Sequence, residues 1–119
     1  MQPKDWTIRL EDMLEAADRV KSYTDGMDFE AFTANRMAVS AVMHEIQIIG
    51  EAARYVPAEV QARYPDVEWT AMRGMRNILV HVYGAVRLDI VWGVVEHRLP
   101  PLIPRLREIL DLERAAEDD

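Results

Sequence analysis

The sequence predicts an all-α protein, built as an antiparallel bundle of about five helices. Apolar residues recur at intervals of three and four, Gly and Pro signals separate these periodic stretches, and no stretch alternates as a strand does. A chain of 119 residues suits one domain. We expect that helical domain to cover residues 1–115, with residues 116–119 as an acidic, disordered tail.

Turn and capping residues define the first two predicted helices. The first spans about residues 5–24 and ends at Asp25-Gly26, a strong turn signal. Asp28 follows as an N-cap for a second, long helix that reaches about residue 55. Gly50 lies on the apolar seam of that helix, where a neighbouring helix could pass closely enough to justify its low helix propensity.

Prolines and glycine divide the second half of the chain. A third helix is predicted over about residues 68–83, and the glycine that follows it ends it. A fourth helix covers about residues 89–98. Pro100-Pro101 is expected to break it, so that a fifth helix runs from about residue 101 to residue 115.

Composition excludes several classes of protein. The chain has no cysteine, which rules out disulfides, thiolate metal sites and a cysteine nucleophile. It has neither an apolar run of the roughly 18 residues that span a membrane nor a secretory leader, so we expect a cytoplasmic protein. A net charge of −7 argues against a general nucleic-acid coat protein, because binding to phosphates requires positive charge.

The charge is unevenly distributed along the chain. Residues 69–88 contain Arg73, Arg76, His81 and Arg87 but no Asp or Glu. Such a basic island on an acidic protein can accept a phosphate at one place without binding nucleic acid everywhere. The alternative is that a short acid-free window arises by chance.

The third predicted helix separates its apolar and polar residues onto opposite sides. A wheel at about 100° per residue collects on the core side Ala71, Met72, Met75, Ile78, Leu79 and Val82. The opposite arc carries Arg73, Arg76, Asn77, His81 and Tyr83. Packing of the core therefore does not explain these polar residues.

The chemistry of the polar residues fits phosphodiester cleavage. Arg76 offers a permanent forked cation for phosphate oxygens, and His81 can transfer a proton near neutral pH. Asn77 lies four residues before His81 and could orient its ring. Arg76 and His81 diverge by about 140° on an ideal helix, so a cleft shared by two copies suits them better than one helix face. The alternative is a solvated face on which His81 only complements the helix dipole.

The segment from Arg76 to Tyr83, RNILVHVY, resembles the signature of the HEPN superfamily in the form found in HepT-like proteins. The likeness extends over nearly the whole chain, because residues 49–53 (IGEAA), 73–75 (RGM) and 89–92 (DIVW) are similar to the family's surrounding motifs. The resemblance implies a helical homodimer whose two motif helices line one cleft. It also implies a metal-independent endoribonuclease in which Arg76 and His81 are catalytic and Asn77 is supporting.

The same resemblance implies a partner. HepT toxins pair with an MNT-type nucleotidyltransferase antitoxin, and the motif tyrosine, here Tyr83, can be a target for AMP transfer. The expected substrate is RNA, either tRNA or mRNA, with no cofactor, no metal ion and no membrane. A rival hypothesis is a non-catalytic helical binding subunit of a nucleotidyltransferase, and a third is a dimeric scaffold without a site.

Glu51 is a further supporting candidate on the second helix. It lies on one stripe with His44 and Gln47, and Arg54 follows three residues later. This stripe could form a second polar wall of the cleft, or it could be an ion-paired, solvated helix face.

Overall fold

The computed structural model describes residues 6–75 and 87–118, and all regular elements within these ranges are helical. In chain order they are α1 (Thr7–Tyr23), α2 (Phe29–Ala34), α3 (Arg36–Ala53), α4 (Ala58–Arg63), α5 (Trp69–Arg73), α6 (Leu88–Gly93), a π-helical turn (Val94–Arg98) and α7 (Leu99–Asp118). The predicted all-α class is thus confirmed. No helix in the described ranges has the length and apolar character needed to span a membrane.

Helix α1 lies between α3 and α7 and runs antiparallel to both. On the α7 side, Glu11 pairs with Arg114 and Asp18 pairs with Arg107. The residue that is later in α1 therefore pairs with the residue that is earlier in α7, as in antiparallel helices. On the α3 side, the same order holds, because Arg9 lies over the ring of Tyr55 whereas residues late in α1 bond to the middle of α3. These contacts define an antiparallel bundle centred on α1.

The core is formed by the facing stripes of these three long helices. Side chains with almost no exposure include Leu10, Met13, Val20, Val42, Ile46, Ile49, Leu106 and Ile109. Close packing of such apolar surface supplies most of the stabilisation of a small domain. Helix α2 completes the core on one side, where the rings of Phe32 and Trp92 meet with centroids 5.1 Å apart.

The two turn signals near the start of the chain have the predicted effect. Helix α1 ends at Tyr23, and Gly26 adopts a φ of 76°, a left-handed conformation that glycine tolerates best. Asp28 is the predicted N-cap, since its side chain accepts a hydrogen bond of 2.8 Å from the backbone N–H of Ala31.

The prediction of one long helix from Asp28 to about residue 55 is wrong. The chain forms α2 and α3 instead, separated by Asn35 in an extended conformation with φ −106° and ψ 95°. The Asn35 side chain accepts a hydrogen bond of 3.0 Å from the N–H of Ala38, so it caps a new helix. Asparagine competes for backbone hydrogen bonds in this way, and the periodic apolar pattern around it does not reveal the break.

The predicted break at Pro100-Pro101 is also wrong. Helix α6 continues into the π-helical turn, whose wider spacing lets the N–H of Leu99 donate to the carbonyl of Val94. Both prolines then occupy the first turn of α7, where a proline is tolerated because N–H groups at a helix start need no partner within the helix. The fourth and fifth predicted helices are therefore joined without a loop.

Candidate functional site

The structure describes the approach to the predicted motif but not the motif itself. Arg76, Asn77, His81 and Tyr83 lie outside the described residues. Arg73 and Glu51, the two supporting candidates, lie within them, as do both flanks of the acid-free window. The surroundings of the site can thus be built from the residues that lead into it.

Helix α5 directs the chain toward Arg76 and is anchored by its buried side chains. Trp69 is 5% exposed, and its indole N–H donates a hydrogen bond of 2.9 Å to the carbonyl of Tyr64. Met72 and Met75 are buried as the helical wheel predicts, whereas Ala71, which was assigned to the same stripe, is exposed. The direction of α5 is therefore determined by three large side chains in the core.

Arg73, the last residue of α5, is partly exposed, unlike the two methionines near it in the sequence. Its Nη1 donates to Oε1 of Gln61 at 3.2 Å, and its Nη2 donates to Oγ1 of Thr70 at 3.1 Å. Both acceptors are neutral, so among the described residues the side chain is held in place without a carboxylate to match its positive charge. The sequence identified Arg73 as a candidate, and neither of these two partners was named for it.

Thr70 and Gln61 differ in how far a sequence signal could have revealed them. Thr70 lies three residues before Arg73, a spacing at which helix side chains meet. Gln61 lies on α4, twelve residues earlier, and only the path of the chain between the two helices brings it to Arg73. Contacts of the second kind depend on tertiary structure and have no periodicity.

The acidic residues that border the window on each side are already ion-paired. Before it, Glu68 accepts a hydrogen bond of 2.8 Å from Nη1 of Arg98. After it, Asp89 binds the guanidinium of Arg87 through two hydrogen bonds of 3.0 and 2.7 Å. These hydrogen bonds lower the pKa of Asp89 below its usual value. Neither carboxylate is thus available to neutralise Arg73.

A buried carboxylate fixes α4, which carries Gln61, against α7. Glu113 is 4% exposed and accepts two hydrogen bonds from Arg63, of 2.8 and 3.2 Å, and one of 2.5 Å from the hydroxyl of Tyr64. Burial, followed by the hydrogen bond to Glu113, raises the pKa of Tyr64. The Glu113 cluster therefore holds one wall of the Arg73 site in position.

Glu51 lies on the polar face of α3. Its carboxylate is 3.3 Å from Nη1 of Arg54, and both side chains are nearly half exposed. His44 and Gln47, which share its stripe, are exposed. The ion-paired helix face is thus present, and a role of Glu51 in the cleft stays a prediction.

A surface cleft of about 480 Å³ adjoins Met75, the last described residue before Arg76. Its remaining lining residues come from α5, α6 and the π-helical turn: Ala71, Ile90, Gly93, Val94, His97 and Arg98. The volume is in the range of small-molecule sites and is sufficient for a nucleotide. Within the described part of the chain, no three His, Asp or Glu side chains are grouped so that they could hold a metal ion.

Comparison with known proteins places these features in a family. The family model described as "Ribonuclease HepT-like" matches residues 13–109. A candidate RNase of Methanocaldococcus jannaschii is 35% identical over 102 residues, which cover 86% of this chain and 94% of that protein. A protein of Thermococcus cleftensis named "Probable ribonuclease HepT" is 32% identical over 93 residues, covering 78% of this chain and 84% of its own. No solved structure matches the chain.

Proposed function

The chain belongs to the HepT-like ribonuclease family, and from this membership we propose that it is a metal-independent endoribonuclease with Arg76 and His81 as its catalytic residues. The observation that carries the proposal is the family match over residues 13–109, which includes the whole RNILVHVY segment. The guanidinium of Arg73, which lies three residues before Arg76 in the sequence and bonds to neutral groups, supports it.

The proposed reaction uses the nucleophile that RNA itself provides. His81 takes the proton of the 2′-hydroxyl, the 2′-oxygen bonds to phosphorus, and the bond from phosphorus to the 5′-oxygen breaks. His81 of the partner subunit gives the departing oxygen its proton. Arg76 stabilises the negative charge of the phosphorane, and Asn77 orients the imidazole. The products are a 2′,3′-cyclic phosphate and a 5′-hydroxyl end.

A homodimer supplies the second proton-transfer group that this reaction requires. The chain has one histidine in the motif, and acid and base must act on opposite sides of the phosphorus. A two-fold axis beside the motif helix would place two copies of Arg76 and His81 in one cleft. The cleft beside Met75, the last described residue before Arg76, has room for a nucleotide.

Cleavage of a single-stranded RNA tests the proposal directly. His81→Ala and Arg76→Ala should each lower the rate by roughly 10²- to 10⁴-fold, the usual contribution of an acid–base group, with unfolding curves like that of the wild type. Arg107→Ala, which removes an arginine ion-paired to Asp18, is the matched control and should cleave normally. Cleavage should persist in EDTA and leave a cyclic phosphate. Cleavage that leaves a 5′-phosphate and stops when EDTA removes metal ions would contradict the mechanism.

We further propose that the protein is the toxin of a pair whose antitoxin is an MNT-type nucleotidyltransferase. Transfer of AMP to Tyr83 would add a bulky anion seven residues after Arg76, and this anion would compete with an RNA phosphate for the arginine. Co-expression with the proposed nucleotidyltransferase antitoxin should add one AMP to the wild type and none to Tyr83→Phe, as measured by intact mass.

Expression of the chain alone separates the nuclease from the rival hypothesis of a binding subunit. The nuclease should arrest bacterial growth, and His81→Ala should relieve the arrest. Harmless expression of a folded wild type that binds nucleotide only with its partner would favour the binding subunit.

A further inference from the structure

Arg73 differs from most arginines of this protein in the charge of its partners. Eight arginines in the described ranges form ion pairs with carboxylates: Arg19, Arg54, Arg63, Arg87, Arg98, Arg105, Arg107 and Arg114. The recorded partners of Arg73 are the amide oxygen of Gln61 and the hydroxyl of Thr70. Such an arrangement restricts the guanidinium without neutralising it.

The surroundings of Arg73 keep that charge available. Residues 76–86 contain no Asp or Glu, and the carboxylates at both borders of the acid-free window are engaged by Arg98 and Arg87. An arginine has five N–H donors, and two hydrogen bonds to neutral oxygens leave three for a ligand. A partly ordered guanidinium also loses less rotamer entropy when it binds an anion.

The shape of the surface beside Arg73 suits an extended chain more than a compact ion. Gln61 and Thr70 both lie on the wall of an open hollow of about 720 Å³ between α4 and α5. The hollow is wide and exposed, and the motif begins three residues after Arg73 in the sequence. An extended strand that lies in this hollow would thus run beside the two residues that hold Arg73.

We infer that Arg73, held by Gln61 and Thr70, binds a backbone phosphate of the RNA strand beside the phosphodiester that is cut. The inference rests on the proposed ribonuclease function. It adds a phosphate-binding position at Arg73 to the one proposed at Arg76. Arg73 contributes affinity and register, and it takes no part in proton transfer. Since a phosphate contact carries no base information, its effect should be the same for RNAs of different sequence.

Binding of an RNA that cannot be cleaved tests the inference apart from catalysis. The probe is a short single-stranded RNA with 2′-O-methyl groups, and anisotropy gives its Kd over a series of salt concentrations. Arg73→Gln should weaken binding roughly 5- to 10-fold at moderate salt. It should also reduce the slope of log K against log salt by about 0.7, the value for one phosphate contact on a single strand.

Three further variants separate the charge of Arg73 from the charge of the whole protein. Arg107→Gln makes the same change in net charge, but at an arginine already paired to Asp18, so its slope should equal that of the wild type. Gln61→Glu keeps Arg73 and gives it a carboxylate partner of the same size, so it should weaken binding and reduce the slope as Arg73→Gln does. Gln61→Ala should have a smaller effect, because the charge remains.

The outcomes distinguish this inference from the proposed function. If the wild type binds no RNA, the ribonuclease proposal itself fails. If the wild type binds RNA and Arg73→Gln has an unchanged slope, Arg73 is no phosphate ligand and the ribonuclease proposal stands. Equal losses in Arg73→Gln and Arg107→Gln would attribute the effect to net charge and overturn the inference. Thermal unfolding of each variant shows that it is folded, which matters for Gln61, whose amide also donates to the carbonyl of Val56 at 2.9 Å.

Discussion

Replacement of Glu113 by alanine should destabilise the protein far more than the same replacement at Glu108, although both residues are on α7 and both pair with an arginine. Glu113 is buried and is the acceptor for the hydroxyl of Tyr64, itself 8% exposed. A buried donor left without a partner costs about 1–3 kcal/mol, and the space left by the side chain adds to this. The ion pair with Arg63 contributes little more, because that guanidinium is half exposed and can be rehydrated.

The expected loss for Glu113→Ala is therefore about 2–4 kcal/mol in the free energy of unfolding. Glu108 is 61% exposed, and its partner Arg105 keeps Asp66, so Glu108→Ala should give a change too small to separate from error. Urea unfolding followed by circular dichroism measures both variants, and equal m-values would show that the unfolded states are comparable. Equal losses of stability in the two variants would refute the argument that burial of the carboxylate determines its contribution.

Two further predictions concern stability at other positions. Hydrogen bonds from Arg105 lower the pKa of Asp66 below its usual value, so this pair stabilises the fold above the pKa of an unfolded aspartate, and the contribution is lost as pH falls through the folded-state pKa. Asp66→Asn should remove this acid-dependent part of the unfolding curve below about pH 4, and an unchanged acid transition would contradict it. Gly93 is in the right-handed helical region, and an added Cβ would meet no atom of residues 6–75 or 87–118 within 4 Å. Gly93→Ala should thus stabilise the protein by about 0.5–1 kcal/mol in thermal unfolding. A lower melting temperature would contradict the helical conformation of Gly93 at the end of α6.

The parts of the fold that were predictable depend on signals within a few residues. The end of α1 at a Gly turn and the start of α2 at Asp28 are both local, because a turn or a cap is completed by its immediate neighbours. The apolar period of α3 and α7 was equally visible, since it reflects one face of a helix in contact with a core.

Both errors in the fold arose where one residue type has two structural uses. Asn35 can lie on the surface of a continuous helix or cap a new one, and its contact with the N–H of Ala38 determines the second outcome. Pro100 and Pro101 can end a helix or occupy its first turn, and the π-helical turn before them makes the second possible. Local sequence is compatible with either outcome in each case, so tertiary packing decides.

The site was predictable in its residue types and not in its contacts. The acid-free window identified Arg73 because charge can be counted along a chain. Its contact with Gln61 and the bonds between Tyr64 and Glu113 join residues on different helices, and no spacing in the sequence encodes them. Prediction of which cations are neutralised therefore required the three-dimensional arrangement.

That arrangement also explains how a protein with a net charge of −7 can act on RNA. If every arginine were unpaired, phosphate would be attracted to many places and the strand would not be aligned with one motif. In this chain, carboxylates pair with the arginines of α7 and of both borders of the window, whereas Arg73 is held by neutral groups. The acidic surface weakens attraction elsewhere, so the segment that leads into Arg76 is favoured over the arginines that carboxylates neutralise. If the proposed function is correct, the positions of the carboxylates contribute as much as the positions of the arginines to the selective binding of RNA at that segment.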